Sequence, residues 1–334
     1  MPVVRTFSEI WLVNGSTGDP ALFIDYPGRH NALLFDAGEN GRLDAGRLSG
    51  LEAVFLTHHH MDHFVGFDRI LRANLDQDKT LHVYGPVKTI ERVYARLKSY
   101  DHAFFPFQKL VLRVHEILDG RLRSADLECA RKFPKPDIVE TAWKRPVVYE
   151  NEDLTVEATP VDHTVPCLAF ALVEKTGYHP DPAKLAGGVL RPGPWIGEVL
   201  RLLRARAAPN RTLDIQGGQF TLATLRDQYF TRSRGGRVAY VTDTAWSDRV
   251  KPALVKLAHR AVRLYCDCFY RSDQSSRAQL YRHMTAPQAA EFAKLARVEE
   301  LVLMHFASRY AGRYEVLLNE ARALFPRTTA DLGA

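Results

Sequence analysis

The stretch Thr57-His58-His59-His60-Met61-Asp62-His63 holds four metal-capable side chains in the pattern His-x-His-x-Asp-His. It follows Leu51-Glu52-Ala53-Val54-Phe55-Leu56, an apolar run that predicts a strand over 52–57. It precedes Phe64-Val65-Gly66-Phe67-Asp68-Arg69-Ile70-Leu71, whose spacing predicts an amphipathic helix over 64–75. At the end of an extended segment His58 and His60 fall on one side, while Asp62 and His63 come where the chain turns into helix and can address a second ion. Two metals side by side are the natural reading. A solvated histidine tract or an expression tag would have no reason to sit between a strand pattern and a helix pattern. His59 points away from its neighbours and is expected to pack or to support a ligand.

Working outward, Ile10-Trp11-Leu12-Val13 and Ala32-Leu33-Leu34-Phe35 suggest paired strands, the second ending in Asp36-Ala37-Gly38-Glu39. A strand at 81–84 and a helix at 87–98 follow, then a less readable stretch through about 147. Strands at 154–161 and 168–174 bracket Val161-Asp162-His163-Thr164-Val165-Pro166. Later strands include Arg237-Val238-Ala239-Tyr240-Val241, which runs into Thr242-Asp243-Thr244, then Val262-Arg263-Leu264-Tyr265, and Leu301-Val302-Leu303-Met304, which runs into His305. The alternation argues for α/β layers. Strand ends therefore deliver His58, His60, His163, Asp243 and His305, the place where active sites of layered α/β folds gather. Alone, His163 or His305 would read as a hydrogen-bonded core histidine; with the first cluster they complete two coordination spheres.

Residues 176–235 break the alternation. Pro180, Pro182, Pro192 and Pro194 with Gly187, Gly188, Gly193 and Gly197 predict an extended segment, with a helix from Glu198 to Arg206, forming an arm inserted in a single domain over 1–334. Between 191 and 211 stand Arg191, Arg201, Arg204, Arg206 and Arg211 against Glu198 alone, a pattern suited to phosphate backbones. A solvated helix face is the bland alternative, and Trp195 beside the cluster favours function. The 334 residues, 46% hydrophobic, can bury a large core, which excludes disorder. No apolar run is long enough to span a bilayer, and Met1-Pro2-Val3-Val4-Arg5-Thr6 lacks a secretory pattern, so a cytoplasmic protein with no membrane partner is expected. Cys129, Cys167, Cys266 and Cys268 are too few for a disulfide scaffold and are expected to stay reduced.

The His-x-His-x-Asp-His string, the later His163, Asp243 in its Thr-Asp-Thr setting and the final His305 resemble the metallo-β-lactamase superfamily. Within it the chain is most similar to the ribonuclease Z family of tRNA 3′-processing endonucleases. That likeness also rests on Leu34 to Glu39, Arg191-Pro192-Gly193-Pro194, Tyr240 to Thr244, His283-Met284-Thr285-Ala286 and Met304-His305-Phe306-Ala307-Ser308-Arg309-Tyr310. The resemblance implies a four-layer αββα sandwich with an exosite-like arm. It implies one divalent ion held by His58, His60 and His163, a second by Asp62, His63 and His305, and Asp243 shared between them. Zinc suits such ligands, with manganese or iron also compatible. Two such ions activate water and stabilise charge on a phosphodiester under attack.

The same resemblance makes His283 the proton donor to the departing ribose oxygen, oriented by Asp267, and gives Asp62 a second role as general base. It implies precursor tRNA as substrate, gripped by an arm carrying Arg191, Gly193, Pro194, Arg201, Arg204 and Arg206, in a homodimer. Departures stand at Val13 to Pro20, Met61, Thr242 and Cys266-Asp267-Cys268-Phe269, where the family has a His-Glu-Ala-Thr motif. They leave a rival reading, a small-molecule hydrolase acting on a cyclic phosphodiester, lactone or thioester on the same scaffold. A nucleic-acid-binding scaffold with a dead site is disfavoured, because all seven ligand positions carry competent residues.

Overall fold

Two sheets packed face to face organise the chain. The computed structural model describes residues 9–25, 32–101, 107–143, 146–233 and 235–332; the reading of Met1 to Thr6 lies outside them. The first sheet has eight strands in sequence order: Glu9–Leu12, Leu22–Asp25, Ala32–Phe35, Leu51–Phe55, Thr80–Gly85, Val111–Leu118, Arg121–Glu128 and Val139–Ala142. Its four central strands are parallel and its flanks antiparallel. The second sheet has seven, ordered Thr328–Thr329, Leu301–Met304, Arg263–Asp267, Arg237–Val241, Leu168–Glu174, Leu154–Pro160 and Val147–Glu150. From Arg237–Val241 to Thr328–Thr329 its strands are parallel.

Parallel strands covered on both faces read as unbroken apolar runs, and Ala32–Phe35 and Leu301–Met304 are buried at every position. Phe35, Phe55, Phe170 and Tyr240 fill the space between the sheets with their rings in contact. Outside, the helices Phe67–Asn74 and Thr89–Lys98 cover the first sheet, and Lys251–Leu257, Ala286–Ala296 and Glu315–Arg322 cover the second. The result is the expected αββα sandwich.

Several local expectations are corrected. The runs at 10–13 and 32–35 do not pair with each other; Leu22–Asp25 lies between them and pairs with both. That strand was hidden because it follows a turn-rich segment and is only four residues long. The stretch before 147 is a long hairpin, Val111–Leu118 with Arg121–Glu128, whose outward residues are charged and blur the alternation. The helix expected over 64–75 is two pieces, Met61–Phe64 and Phe67–Asn74, broken at Gly66. A Cβ on Gly66 would lie 2.0 Å from the Gly38 carbonyl oxygen, so the two loops that flank the histidine cluster meet only because that side chain is absent.

The inserted segment is not simply extended. Strands Gly177–Pro180 and Phe230–Ser233 pair as a stalk. Beyond it lie the helices Pro182–Gly187, Trp195–Arg204 and Leu222–Tyr229 and the hairpin Thr212–Ile215 with Gly218–Thr221. Trp195, Val199, Leu213, Leu225 and Tyr229 close a small core of their own. Local capping explains the helices that composition concealed: Asp181 and Thr221 accept from backbone amides of the first turns, and Pro182 occupies a first-turn position where no amide is needed.

Candidate metal centre

All seven expected ligand residues converge at one end of the two sheets. The strand Leu51–Phe55 runs into Thr57 and His58, and the short helix Met61–Phe64 turns Asp62 and His63 back toward the same point. From the second sheet, His163 follows Leu154–Pro160, Asp243 follows Arg237–Val241, Asp267 ends Arg263–Asp267, and His305 follows Leu301–Met304. His58, His60, His163 and Asp243 form one group able to hold an ion; Asp62, His63 and His305 form another.

Asp243 stands between them. Its Oδ2 lies 3.7 Å from both His58 Nε2 and His163 Nε2, and its Oδ1 lies 3.6 Å from His63 Nε2 and 3.0 Å from His305 Nδ1. Asp62 Oδ2 is 3.2 Å from His305 Nε2 and 3.5 Å from His63 Nε2. Yet His63 Nε2, His163 Nε2, His305 Nδ1 and Asp243 Oδ1 are buried and make no hydrogen bond. Buried polar atoms are rarely left so, and these four, divided between the two ligand groups, are atoms that bound cations would satisfy.

The charges agree. Burial works to raise the Asp243 pKa, but His305 and His63 outweigh it and hold the carboxyl well below its ordinary range. Burial works to lower His305, and Asp243 outweighs it, so this imidazole lies well above its usual value. His58 is driven far down by burial and by neighbouring His63, which leaves it neutral, as a ligand imidazole must be.

Asp36 supports the first loop, and no role was assigned to it from sequence. Fully buried, it accepts from the Thr57 amide (2.7 Å), the Thr57 hydroxyl (2.9 Å) and the Tyr240 hydroxyl (3.1 Å), and shares a hydrogen bond with His63 Nδ1 (2.8 Å). Its φ of 60° is left-handed, as is the 61° of His305. Such backbone costs about 1–3 kcal/mol at a non-glycine residue and persists where the surroundings over-determine it. The signal available in sequence was a carboxylate ending an apolar strand just before Ala-Gly.

Asp162 is a second support that sequence reading passed over. Its carboxylate accepts from Arg282 Nη1 (2.6 Å) and the Ser247 hydroxyl (3.1 Å), and Arg249 approaches to 2.8 Å. The Arg282 carbonyl in turn meets His163 Nδ1 at 3.2 Å. One buried carboxylate thus ties the loop before His283 to the ligand histidine beside it.

His283 shares a hydrogen bond with Asp267 Oδ2 (3.1 Å) through Nδ1, and its Nε2 lies 4.0 Å from Asp243. Burial opposes its charging, but Asp267 outweighs burial and raises its pKa. Phe269, at the end of the rewritten motif, stacks on the His283 ring at 4.4 Å, and the Arg309 guanidinium lies over Tyr270 and Phe269. His59 faces elsewhere, meeting Thr89 Oγ1 at 3.0 Å, and burial with Arg92 lowers its pKa to about 3. The four cysteines are free and buried; Cys266 and Cys268 belong to the packing beneath the outer helices.

The arm residues do not join this centre. Arg191 is exposed while its carbonyl accepts from Trp195 Nε1 and Gln216 Nε2, and Gly193 and Pro194 lead into the helix Trp195–Arg204. Arg201 lies 3.9 Å from Glu198. Arg204, expected to face a phosphate, instead donates to Glu152 (3.0 Å) and Asp153 of the body, so its charge is already matched.

Comparison with known proteins agrees with this geometry. The Beta-lactamase superfamily domain matches residues 30–191. Ribonuclease Z of Deinococcus radiodurans is 31% identical over 318 residues, 93% of this chain and 93% of that protein. The chain belongs to the ribonuclease Z family. Ribonuclease Z of Thermococcus gammatolerans is likewise 31% identical, over 92% of this chain and 84% of its own. Among solved structures, the metallo-beta-lactamase fold protein YhfI of Bacillus subtilis aligns with a TM-score of 0.55 at 16% identity, over 96% and 93% of the two chains. Human short-form tRNase Z aligns at 0.51 and 20% identity, over 92% and 93%. These two share the fold; the family assignment rests on the sequence relatives.

Proposed function

We propose that this ribonuclease Z family member is a metal-dependent phosphodiesterase that removes the 3′ trailer from precursor tRNA, leaving a 3′-hydroxyl on the tRNA and a 5′-phosphate on the trailer. The observation that carries the reading is the pair of ligand groups with Asp243 between them, Oδ2 toward His58 and His163 and Oδ1 toward His63 and His305, set in a chain that matches ribonuclease Z along nearly its whole length. His58, His60 and His163 would hold one divalent ion and Asp62, His63 and His305 the other, with Asp243 common to both. Zinc is our choice for these donors. When bound, the ions supply Lewis acidity, which activates water and neutralises charge building on the phosphodiester.

The chain's own residues do the rest. Asp36 fixes the His63 ring, and Asp162 fixes the loop that carries His283. Asp267 keeps a proton on His283 Nδ1 and favours the charged imidazolium, so Nε2 is ready to protonate the departing ribose 3′ oxygen. Phe269 covers one face of that ring and limits access of water to it. Asp62, ligand-facing and hydrogen-bonded to His305, also orients the attacking water. The arm grips the RNA away from the scissile bond through Arg191, Arg201 and Arg206 with Gly193-Pro194 as its bend, while Arg204 ties the arm to the body. We place the protein in the cytoplasm as a homodimer, each arm serving the other subunit. Among the described residues no helix is long and apolar enough to cross a membrane.

The test is cleavage of labelled precursor tRNA by the wild type, by His283→Ala and by a metal-stripped sample. A single metal-dependent cut at the acceptor end is expected, slowed about 10²–10⁴-fold in the variant. The chromogenic diester bis(p-nitrophenyl) phosphate, whose leaving group needs no proton, should lose far less. Turnover of that diester with no cut in precursor tRNA would transfer the site to small-molecule hydrolysis.

A further inference from the structure

The root of the arm encloses a cavity of about 380 Å³, away from the metal centre. The stalk strands Gly177–Pro180 and Phe230–Ser233, the end of the helix Trp195–Arg204 and the body residues Glu152 and Asp153 surround it. Its size is that of a small-ligand pocket. Its charge is lopsided once pairs are removed. Glu152 and Asp153 share the single charge of Arg204 and Lys175 meets Glu150 at 2.5 Å, so with Arg206 and Arg232 the group keeps one positive charge in excess. Arg206 and Arg232 remain exposed, and among the described residues neither side chain has a hydrogen-bond or ion-pair partner. His179, also lining the cavity, has a buried Nε2 that no group satisfies. Leu200, Leu203 and Tyr178 supply an apolar wall.

We propose that this cavity binds a phosphate ester of nucleotide size, its charge taken by Arg206 and Arg232, with His179 completing the hydrogen bonds and the apolar wall receiving the remainder. Guanidinium groups suit the task because each can present two parallel donors to a phosphate. Two sources share this chemistry. One is a nucleotide unit of the RNA substrate, which rests on the function proposed above; the other is a free nucleoside monophosphate, which does not. In either case the ligand would bridge arm and body, next to the Arg204 tie.

The experiment compares the full-length wild type with the Arg206→Ala/Arg232→Ala double variant, melting temperature serving to show that the variant is folded. For an RNA source, KM for precursor tRNA rises about tenfold, more than kcat falls, and the salt dependence of log kcat/KM becomes shallower by about 2. For a free nucleotide, calorimetric titration with AMP shows binding to the wild type that the double variant loses, and the single variant Arg232→Ala, which keeps Arg206 for the RNA, weakens AMP binding with KM for precursor tRNA unmoved. If KM, salt slope and AMP titration are the same in both proteins, the proposal is overturned. If the double variant fails to fold, Arg206→Gln and Arg232→Gln are measured singly against the same three readings, and two unaltered proteins overturn it. Loss of AMP binding in a protein that never cuts precursor tRNA would keep the cavity and remove the processing function.

Discussion

The metal centre and the arm solve opposite problems with the same residue types. At the centre most of the charged groups are buried and held by several neighbours: Asp36 alone contacts Thr57, His63 and Tyr240. On the arm Arg191, Arg206 and Arg211 are exposed and carry no ion pair among the described residues, while Arg201 pairs loosely with Glu198, Arg204 with Glu152 and Asp153, and Arg226 with Asp227. Burial fixes the geometry and strengthens the mutual effects of Asp243, His305 and His58; exposure leaves charges mobile and screened, suited to a polyanion whose shape varies. In the function proposed above, the chemistry belongs to the first region and the choice of substrate to the second.

Excising the arm puts the greatest strain on that contrast. Pro180 and Phe230 are cross-strand partners, so residues 181–229 can be replaced by an Asn-Gly turn that closes the stalk as a hairpin. If the centre is self-contained, turnover of bis(p-nitrophenyl) phosphate survives while kcat/KM on precursor tRNA falls about 10²–10⁴-fold, the loss expected when a second point of attachment is removed. Parallel loss of both activities would mean that the arm builds the centre as well.

A middle-sized effect should come from Asp36→Asn, which keeps the shape and removes the charge opposite His63. Metal affinity, read by competition with a chelating dye, is expected to fall about 10–100-fold, with both substrates affected alike once metal is limiting. An effect on RNA alone would place Asp36 in substrate recognition and blur the two regions.

The smallest effect separates burial from chemistry. His115 lies between Ser124 and His82, far from the ligand set in the fold, and burial with His82 lowers its pKa to about 3. The unfolded chain would bind this proton near pH 6.5, so stability from His115 is complete above that value. It is lost as pH falls toward 3, at up to about 1.4 kcal/mol per pH unit. Denaturant melts across this range should show a shallower slope for His115→Gln; an unchanged slope would mean that the acid sensitivity arises elsewhere.

Much of the centre was legible because its ligands sit at predictable places. His58, His60, Asp62 and His63 stand together in sequence, and His163, Asp243 and His305 each end an apolar run. The supports were not legible. Asp36 and Asp162 look like ordinary loop carboxylates, and their importance comes from Tyr240 and Arg282, residues 204 and 120 positions away. Of the arm's three helices, the one expected from Glu198 to Arg206 is found at Trp195–Arg204, while Pro182–Gly187 and Leu222–Tyr229 were hidden in a segment where proline and glycine start and separate short elements rather than prevent them.

The layer alternation, the family and the seven candidate ligands are legible in the residues alone, because periodicity and residue chemistry are local properties that a strand or a motif carries wherever it folds. The pairing of charges was set by the fold: Asp36 meets Tyr240, Arg204 meets Glu152 and Asp153, and Arg206 and Arg232 flank the cavity at the root of the arm. Pairing and desolvation depend on which distant segments meet, and that is settled by packing the two sheets and docking the arm.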